Sequence, residues 1–370
     1  MYVKITVQRI LSVSELVFDM AKKQPPKPPF YRRKAFLWPV GVVVALVIIV
    51  ALAFRFSPWP GALVIRAVFN HGGQKTLAAM EKRLPNYPVT VISDQQYRAG
   101  DKMAKLDVYV PNMAVQQHTK RPVVIWTHGG AWLSGDKTNS APYYKRLADQ
   151  GFTVIALNYS LAPEKTYPTA VFELNDAYAY IMHNATRFSA DTSKIFFAGD
   201  SAGSQLSSQM AALITNPSYA KEMDITPNLE RSQLAGVVLF CGIYKMEALT
   251  QANPTLPKIV SWGDDVAVWA YTGSRHKPAG PIRQMSAYYH VSKDFPPTFI
   301  SGGNADPLTN VQSIPFGDEL SSLGVPVTKL FYPADHKPAL PHEYQFTFNQ
   351  DGENAFTSTV QFLQARVQKP

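Results

Sequence analysis

Gly199-Asp200-Ser201-Ala202-Gly203 constrains this chain more than any other segment. Before it, Lys194-Ile195-Phe196-Phe197-Ala198 is an apolar run with β character; after it, Gly203-Ser204-Gln205-Leu206 to Leu213 reads as a helix. Five residues must therefore carry the backbone from a strand into a helix. A turn that sharp strains the residue at its apex, and side chains at its ends would collide with the adjoining strand and helix, so glycine stands at 199 and 203. The pattern G-x-S-x-G in this context presents the Ser201 hydroxyl as a nucleophile. A Gly/Ser loop ahead of a helix N-cap is the plainer alternative.

A second motif weakens that alternative. Val123-Val124-Ile125-Trp126-Thr127 has the composition of a buried strand and runs directly into His128-Gly129-Gly130-Ala131-Trp132, 73 residues before Ser201. Glycines let a backbone approach a reacting group closely and adopt unusual φ. The N–H groups of Gly129 and Gly130, with that of Ala202, would form an oxyanion hole, each donor holding down the barrier by about 3–4 kcal/mol. A tight turn alone would also explain His-Gly-Gly.

Together these segments resemble the hormone-sensitive-lipase-like branch of the α/β-hydrolases, esterases with an HGG-type oxyanion loop. Asn158-Tyr159-Ser160-Leu161-Ala162-Pro163-Glu164, followed by Pro168, is similar to the DYRLAPE…P segment of that family. The resemblance covers about residues 90–368. Departures are HGGA in place of HGGG, Ser204 after the elbow, and Asn158 and Ser160 in place of Asp and Arg. The implied fold is α/β: a mostly parallel central sheet with helices on both faces and a helical cap.

In this fold the triad follows the chain order Ser, acid, His. Pro297-Thr298-Phe299-Ile300-Ser301 is a short apolar strand, and Gly302-Gly303-Asn304-Ala305-Asp306 follows it, which puts Asp306 at the family's acid position. Asp264, Asp265 and Asp294 are rivals without a strand leading into them. The strand Pro326–Pro333 precedes two histidines, His336 and His342. His342 lies just before a last helix at about Glu353 to Val367, where the family keeps its base, with Phe346 as an accompanying aromatic. His336 follows Asp335 and reads as a surface turn. In the family the base is usually followed closely by Gly and Phe; here Glu343-Tyr344-Gln345 intervene.

These parts imply attack by Ser201 on an ester carbonyl, His342 as proton carrier, Asp306 as its orienting acid, and water turning over an acyl-enzyme. His128, Trp132, Asp200 and Tyr159 are candidate pocket residues, although plain packing explains the aromatics as well. An arylformamidase-like amidase uses the same triad. A hydrolase-fold binding module without catalysis is a third reading, against which the presence of Ser201, Asp306 and His342 argues. Neither a cofactor nor a metal is expected; oligomeric state is left open.

Residues 35–54 form an apolar run with no charged side chain. Twenty helical residues at about 1.5 Å each span a bilayer core of roughly 30 Å. Residues 1–35 contain eight Lys or Arg and two Asp or Glu, so +6 of the formal charge of +9 lies there. With only Arg55 close on the far side, the positive-inside rule puts residues 1–34 in the cytoplasm and the catalytic domain outside, periplasmic in a bacterium. Membrane lipid, rather than nucleic acid, is then the partner of the basic tail. A cleaved signal peptide is the rival reading, because Ala51-Leu52-Ala53 matches an A-x-A site; the length of the run and of its leader favours an anchor. Met20 is an alternative start. The one cysteine, Cys241, excludes an intramolecular disulfide and reads as a small buried side chain.

Residues 55–89 divide into Pro60–Phe69 and a helical stretch from about Gln74 to Arg83, suited to a membrane surface or a cap. Residues 90–370 would form the catalytic domain, long enough to bury a substantial core, with residues 246–292 as a further cap insertion. Such lids shape an acyl pocket and exclude water.

Overall fold

The computed structural model describes residues 34–250 and 257–368. The basic segment that carries the topology argument and the alternative start at Met20 lie outside the described residues, apart from Lys34. Residues up to Phe56 and residues from Ser57 onward form two compact units.

In the first unit, α1 runs from Lys34 to Phe56 with Pro39 inside it. Its segment Leu37–Phe56 has a mean hydropathy of 2.8 and is long and apolar enough to cross a membrane. The helix extends slightly beyond both ends of the apolar run expected at residues 35–54.

The second unit opens with α2, Trp59–Arg83, whose first turn holds Pro60, where a missing N–H costs nothing. Two stretches were expected here; the structure makes one helix straight through Gly72 and Gly73. β1 (Val89–Gln96) and β2 (Lys105–Pro111) pair antiparallel, and β2 pairs antiparallel with β4. After the short α3 (Asn112–Gln117) come β3 (Arg121–Thr127), α4 (Ala141–Asp149), β4 (Thr153–Leu157) and α5 (Thr169–His183). β5 (Ala190–Asp200), α6 (Ala202–Thr215), α7 (Pro217–Glu222) and β6 (Leu234–Phe240) follow. The segment before β7 (Thr298–Gly302) supplies α8 (Met246–Thr250), α9 (Lys258–Thr272) and α10 (Ala279–Met285). α11 (Ile314–Ser322), β8 (Val327–Phe331) and α12 (Gln350–Val367) complete the chain.

The eight strands form one sheet in the order β1-β2-β4-β3-β5-β6-β7-β8, parallel from β4 to β8. Its central strands are buried on both faces, which is why they read as continuous apolar runs. Alternate residues face opposite ways: Ile125, Phe197, Val237 and Leu239 pack with Leu174 of α5 and Leu206 and Met210 of α6. Val124, Phe196, Val238 and Phe240 pack on the other side with Tyr143 and Leu147 of α4 and Val360 and Leu363 of α12. This doubly covered sheet leaves the carboxyl ends of its parallel strands as one polar rim, the place where open α/β sheets bind ligands.

Candidate active site

Ser201 sits between β5 and α6 at φ 52° and ψ −121°, a conformation that a non-glycine residue adopts only when its surroundings impose it. The surroundings are explicit. Ser201 N–H donates to Phe240 O at 2.9 Å. A Cβ on Gly203 would lie 2.0 Å from Thr127 O, and one on Gly199 would lie 2.5 Å from the Gly203 carbonyl carbon. Ser204 Oγ donates to Gly199 O at 2.6 Å, so the serine that departs from the family pattern ties helix to strand across the turn.

Ser201, Asp306 and His342 line one cavity of about 500 Å³. Asp306 Oδ2 accepts from His342 Nδ1 at 2.9 Å, and its Oδ1 accepts Leu308 N–H at 2.9 Å. The two loops that bring acid and base together are clamped to one another. Ala305 N–H donates to Leu340 O at 3.0 Å, and Leu340 N–H donates to Asn304 Oδ1 at 2.8 Å. A Cβ on Gly303 would lie 2.2 Å from Leu340 O. Asn304, which the sequence reading passed over, also donates through Nδ2 to Ala334 O and His336 O. His336 lies elsewhere and meets Asp351 at 3.1 Å. Asp264 lines the cavity on α9, but Asp306 is the acid that holds His342.

Burial disfavours the His342 imidazolium, yet the charge of the Asp306 carboxylate and its hydrogen bond to Nδ1 act against this and raise the His342 pKa. Cys241 is fully buried at φ 43°, and its Sγ lies within 4.8 Å of ligand-type atoms of Asp306 and His342. Burial pushes its thiol up to about 11, so it stays neutral there.

The expected oxyanion donors need one correction. Gly129 N–H is already spent on Asp200 Oδ2 at 2.8 Å, deep in the interior, and does not point at a substrate. Gly129 is glycine because a Cβ there would lie 2.4 Å from that same carboxylate oxygen. Among the described residues, the N–H groups of Gly130, Ala131 and Ala202 find no protein acceptor. Gly130, Ala131 and Trp132 take φ of 115°, 53° and 59° in succession, and Leu133 N–H and Ser134 N–H close the loop on Gly130 O at 3.0 Å. Three positive φ values in a row redirect the backbone one residue further along than the glycines suggest.

Asp200 braces this arrangement. Its Oδ1 accepts Trp126 Nε1–H at 2.8 Å while its Oδ2 accepts Gly129, so one carboxylate joins β3, the HGG loop and the elbow. Burial, reinforced by Glu343 and opposed by those two donors, raises its pKa to about 7. His128 lines the cavity with its Nδ1 at 2.8 Å from Gly129 O, and burial lowers its pKa, which keeps the ring neutral. Tyr159 does not line the cavity; it stacks on His128 at 4.5 Å and donates to His128 O at 3.0 Å. Trp132 lines the wall, stacks on Tyr271 at 5.0 Å, and donates to Gln205 Oε1 at 3.0 Å. Phe346 lines the wall near His342.

Leu161-Ala162-Pro163-Glu164 serves the opposite wall. Arg66 of α2 makes a two-point contact with Glu164 at 2.7 and 2.6 Å and donates to Leu133 O and Ala162 O. That fixes α2 so that Val68, Phe69, Gly72, Gly73 and Thr76, one helical face, line the cavity.

Eight strands in this order, with a strained serine between β5 and α6, define the α/β-hydrolase fold. More narrowly, the family model described as BD-FAE matches residues 106–320, and the chain belongs to that family. A putative alpha/beta hydrolase, R526, of Acanthamoeba polyphaga mimivirus is 30% identical over 148 residues, 37% of this chain and 43% of that protein. A probable carboxylic ester hydrolase, LipM, of Mycobacterium tuberculosis is 29% identical over 199 residues, 52% of this chain and 42% of its own. The chain thus spans less than half the length of these two curated relatives. Among solved structures, an inhibited esterase B from Lactobacillus rhamnosis superposes with a TM-score of 0.72 at 20% identity, over 84% of this chain and 97% of that one.

Proposed function

We propose that this protein is a serine hydrolase that cleaves carboxylic esters of short to medium acyl chains through an acyl-enzyme. The observation that carries the reading is the convergence, in one cavity, of a strained Ser201 with a His342–Asp306 pair at 2.9 Å. A serine hydroxyl is a weak nucleophile at neutral pH and needs an adjacent base. His342 takes the Ser201 proton as Oγ attacks the ester carbonyl, and Asp306 fixes the tautomer and stabilises the imidazolium. The oxyanion falls to the free N–H groups of Gly130, Ala131 and Ala202. His342 then protonates the leaving alcohol, and water repeats the cycle on the acyl group. The probable carboxylic ester hydrolase among its relatives supports an ester as substrate.

The apolar length of α1 supports membrane anchoring, and the basic residues before it support an N-terminus in the cytoplasm with the catalytic unit outside. In this reading α2, α8 and α9 act as a cap over the cavity. A fluorophosphonate probe tests the chemistry. Wild type should be labelled and Ser201→Ala should not, with ester turnover reduced about 10⁶-fold. Equal labelling of both proteins would sink the reading. Protease added to cells stripped of any outer envelope should digest the catalytic unit; protection until the membrane that α1 crosses is opened would reverse the topology.

A further inference from the structure

The catalytic cavity carries more negative charge than the proposed chemistry uses. Among its lining residues there is no Lys or Arg, whereas Asp264 and Glu343 add two carboxyl groups to Asp200 and Asp306. Asp200 and Asp306 are consumed by the hydrogen bonds described above. Asp264 makes no hydrogen bond or ion pair with any described residue. It lies on α9 with Val260 and Ala267, four residues before it and three after, on the cavity-lining face. Lys277 pairs with the neighbouring Asp265. Burial, reinforced by Asp265 and opposed by Lys277 and His342, raises the Asp264 pKa to about 6, which leaves it mostly ionised at neutral pH.

Glu343 is the second carboxylate. It holds φ 59°, the left-handed conformation that glycine adopts freely and other residues adopt at a cost of about 1–2 kcal/mol. Its Oε1 stands 3.9 Å from His342 Nε2, too far for a hydrogen bond. His128, which lines the same cavity, keeps a buried Nε2 with no partner among the described residues. With His342 in its neutral, proton-accepting form, the lining therefore offers two carboxylates beyond Asp200 and Asp306, and no Lys or Arg, around a largely apolar volume.

We propose that Asp264 and Glu343 make this cavity selective for esters bearing a cationic ammonium group and hostile to esters bearing an anionic one. This rests on the ester-hydrolase reading and deepens it. An ammonium group placed among apolar walls needs a carboxylate to offset its lost hydration, and an anionic group there meets repulsion with no Lys or Arg in the lining to relieve it. Neutral esters fall between.

Three thioacetates of similar size separate charge from shape: acetylthiocholine, its uncharged analogue 3,3-dimethylbutyl thioacetate, and 3-(acetylthio)propanesulfonate. Turnover by the full-length protein in detergent is read from thiol release at low and high salt. The expected order of kcat/KM is cationic, neutral, anionic. Each carboxylate contributes about a tenfold step at low salt, shrinking as salt rises. Asp264→Asn and Glu343→Gln should each compress the span between cationic and anionic esters about tenfold, and the double variant should nearly erase it. The readout is the ratio between esters within one protein, so a general loss of activity does not imitate the effect. Turnover of the neutral ester with no ranking by charge, or a ranking that survives the double variant, would overturn this proposal alone. No turnover of any ester together with no labelling of Ser201 would overturn the hydrolase reading and this one with it.

Discussion

The cavity has two walls of different construction. The sheet-side wall consists of loops at strand ends, held by hydrogen bonds between backbones and by glycines with no room for a Cβ: Gly203 against Thr127 O, Gly303 against Leu340 O, Gly129 against Asp200. The helical wall consists of side chains on α2, α8 and α9, many of them apolar: Val68, Phe69, Leu249 and Val260. Gly72 of α2 would admit a Cβ without meeting any atom within 4 Å. On the sheet side, geometry is set by the main chain and a single added methyl group forces the backbone to move. On the helical side, geometry is set by what the side chains are. The first construction suits a reaction, which tolerates little displacement; the second suits selectivity, which changes by substitution.

The comparison breaks most visibly at Asp306. Asp306→Asn should cut kcat by about 10⁴ with KM little changed, because the wrong His342 tautomer is then favoured. It should also move the pH profile in a defined direction. In wild type the His342 pKa stands well above 6.5, so the base becomes available only as pH rises past that point and the acid limb of kcat/KM lies above 6.5. Removing the carboxylate lowers that pKa, so the limb shifts toward acid. A limb that stays in place, measured on matched esters from pH 5 to 9, would assign it to another group.

A smaller effect is expected at Asp200, which belongs to the same wall and braces it. Both its oxygens accept N–H groups, from Trp126 and Gly129. Asp200→Asn replaces one acceptor with an NH₂ facing a donor, so the HGG loop shifts and kcat falls about 10²-fold, the scale of losing one oxyanion donor. A stability readout separates this from local damage. Asp200 binds its proton more tightly when folded, with a pKa raised from 3.8 to about 7, so its contribution is complete below about 4 and is lost as pH rises to 7. That share of the pH dependence should vanish in Asp200→Asn; melting curves from pH 4 to 8 give the comparison.

What could be read from the sequence follows the same division. The elbow, the HGG strand and the strand before Asp306 were legible because a central parallel strand is apolar on both faces and ends in a loop of special residues. His342 was separable from His336 by its place before α12. β1 was not legible: as an edge strand it exposes Ser93, Asp94 and Gln96 and carries no sustained apolar alternation. The oxyanion loop misled in an instructive way. Two glycines suggested two donors, but Gly129 is glycine to admit Asp200, and Ala131 takes the free position at φ 53°, a value its identity does not announce. Asn304 was missed because its role is to clamp two loops more than thirty residues apart in sequence, Leu340 being its partner at 2.8 Å. α2 was read as two pieces because glycine pairs usually break helices. Here Arg66, bound to Glu164 and to two carbonyls, fixes the helix from outside.

The helical wall should respond least to any single change, and the response should be in selectivity. Phe69 lines the cavity although it is 46% exposed. Phe69→Ala withdraws apolar surface from a bound acyl chain, and each methylene that loses its cover forfeits up to about 0.8 kcal/mol. Because the ring is half solvated before substrate arrives, only part of that is recoverable. The expected loss in kcat/KM is about threefold to tenfold larger for p-nitrophenyl octanoate than for the acetate. A loss equal for both chain lengths would mean that Phe69 positions the loops, and the two walls would then not be separable. A loss confined to the longer ester would place acyl recognition on α2, leaving the chemistry to the sheet side and charge to Asp264 of α9 with Glu343 beside His342.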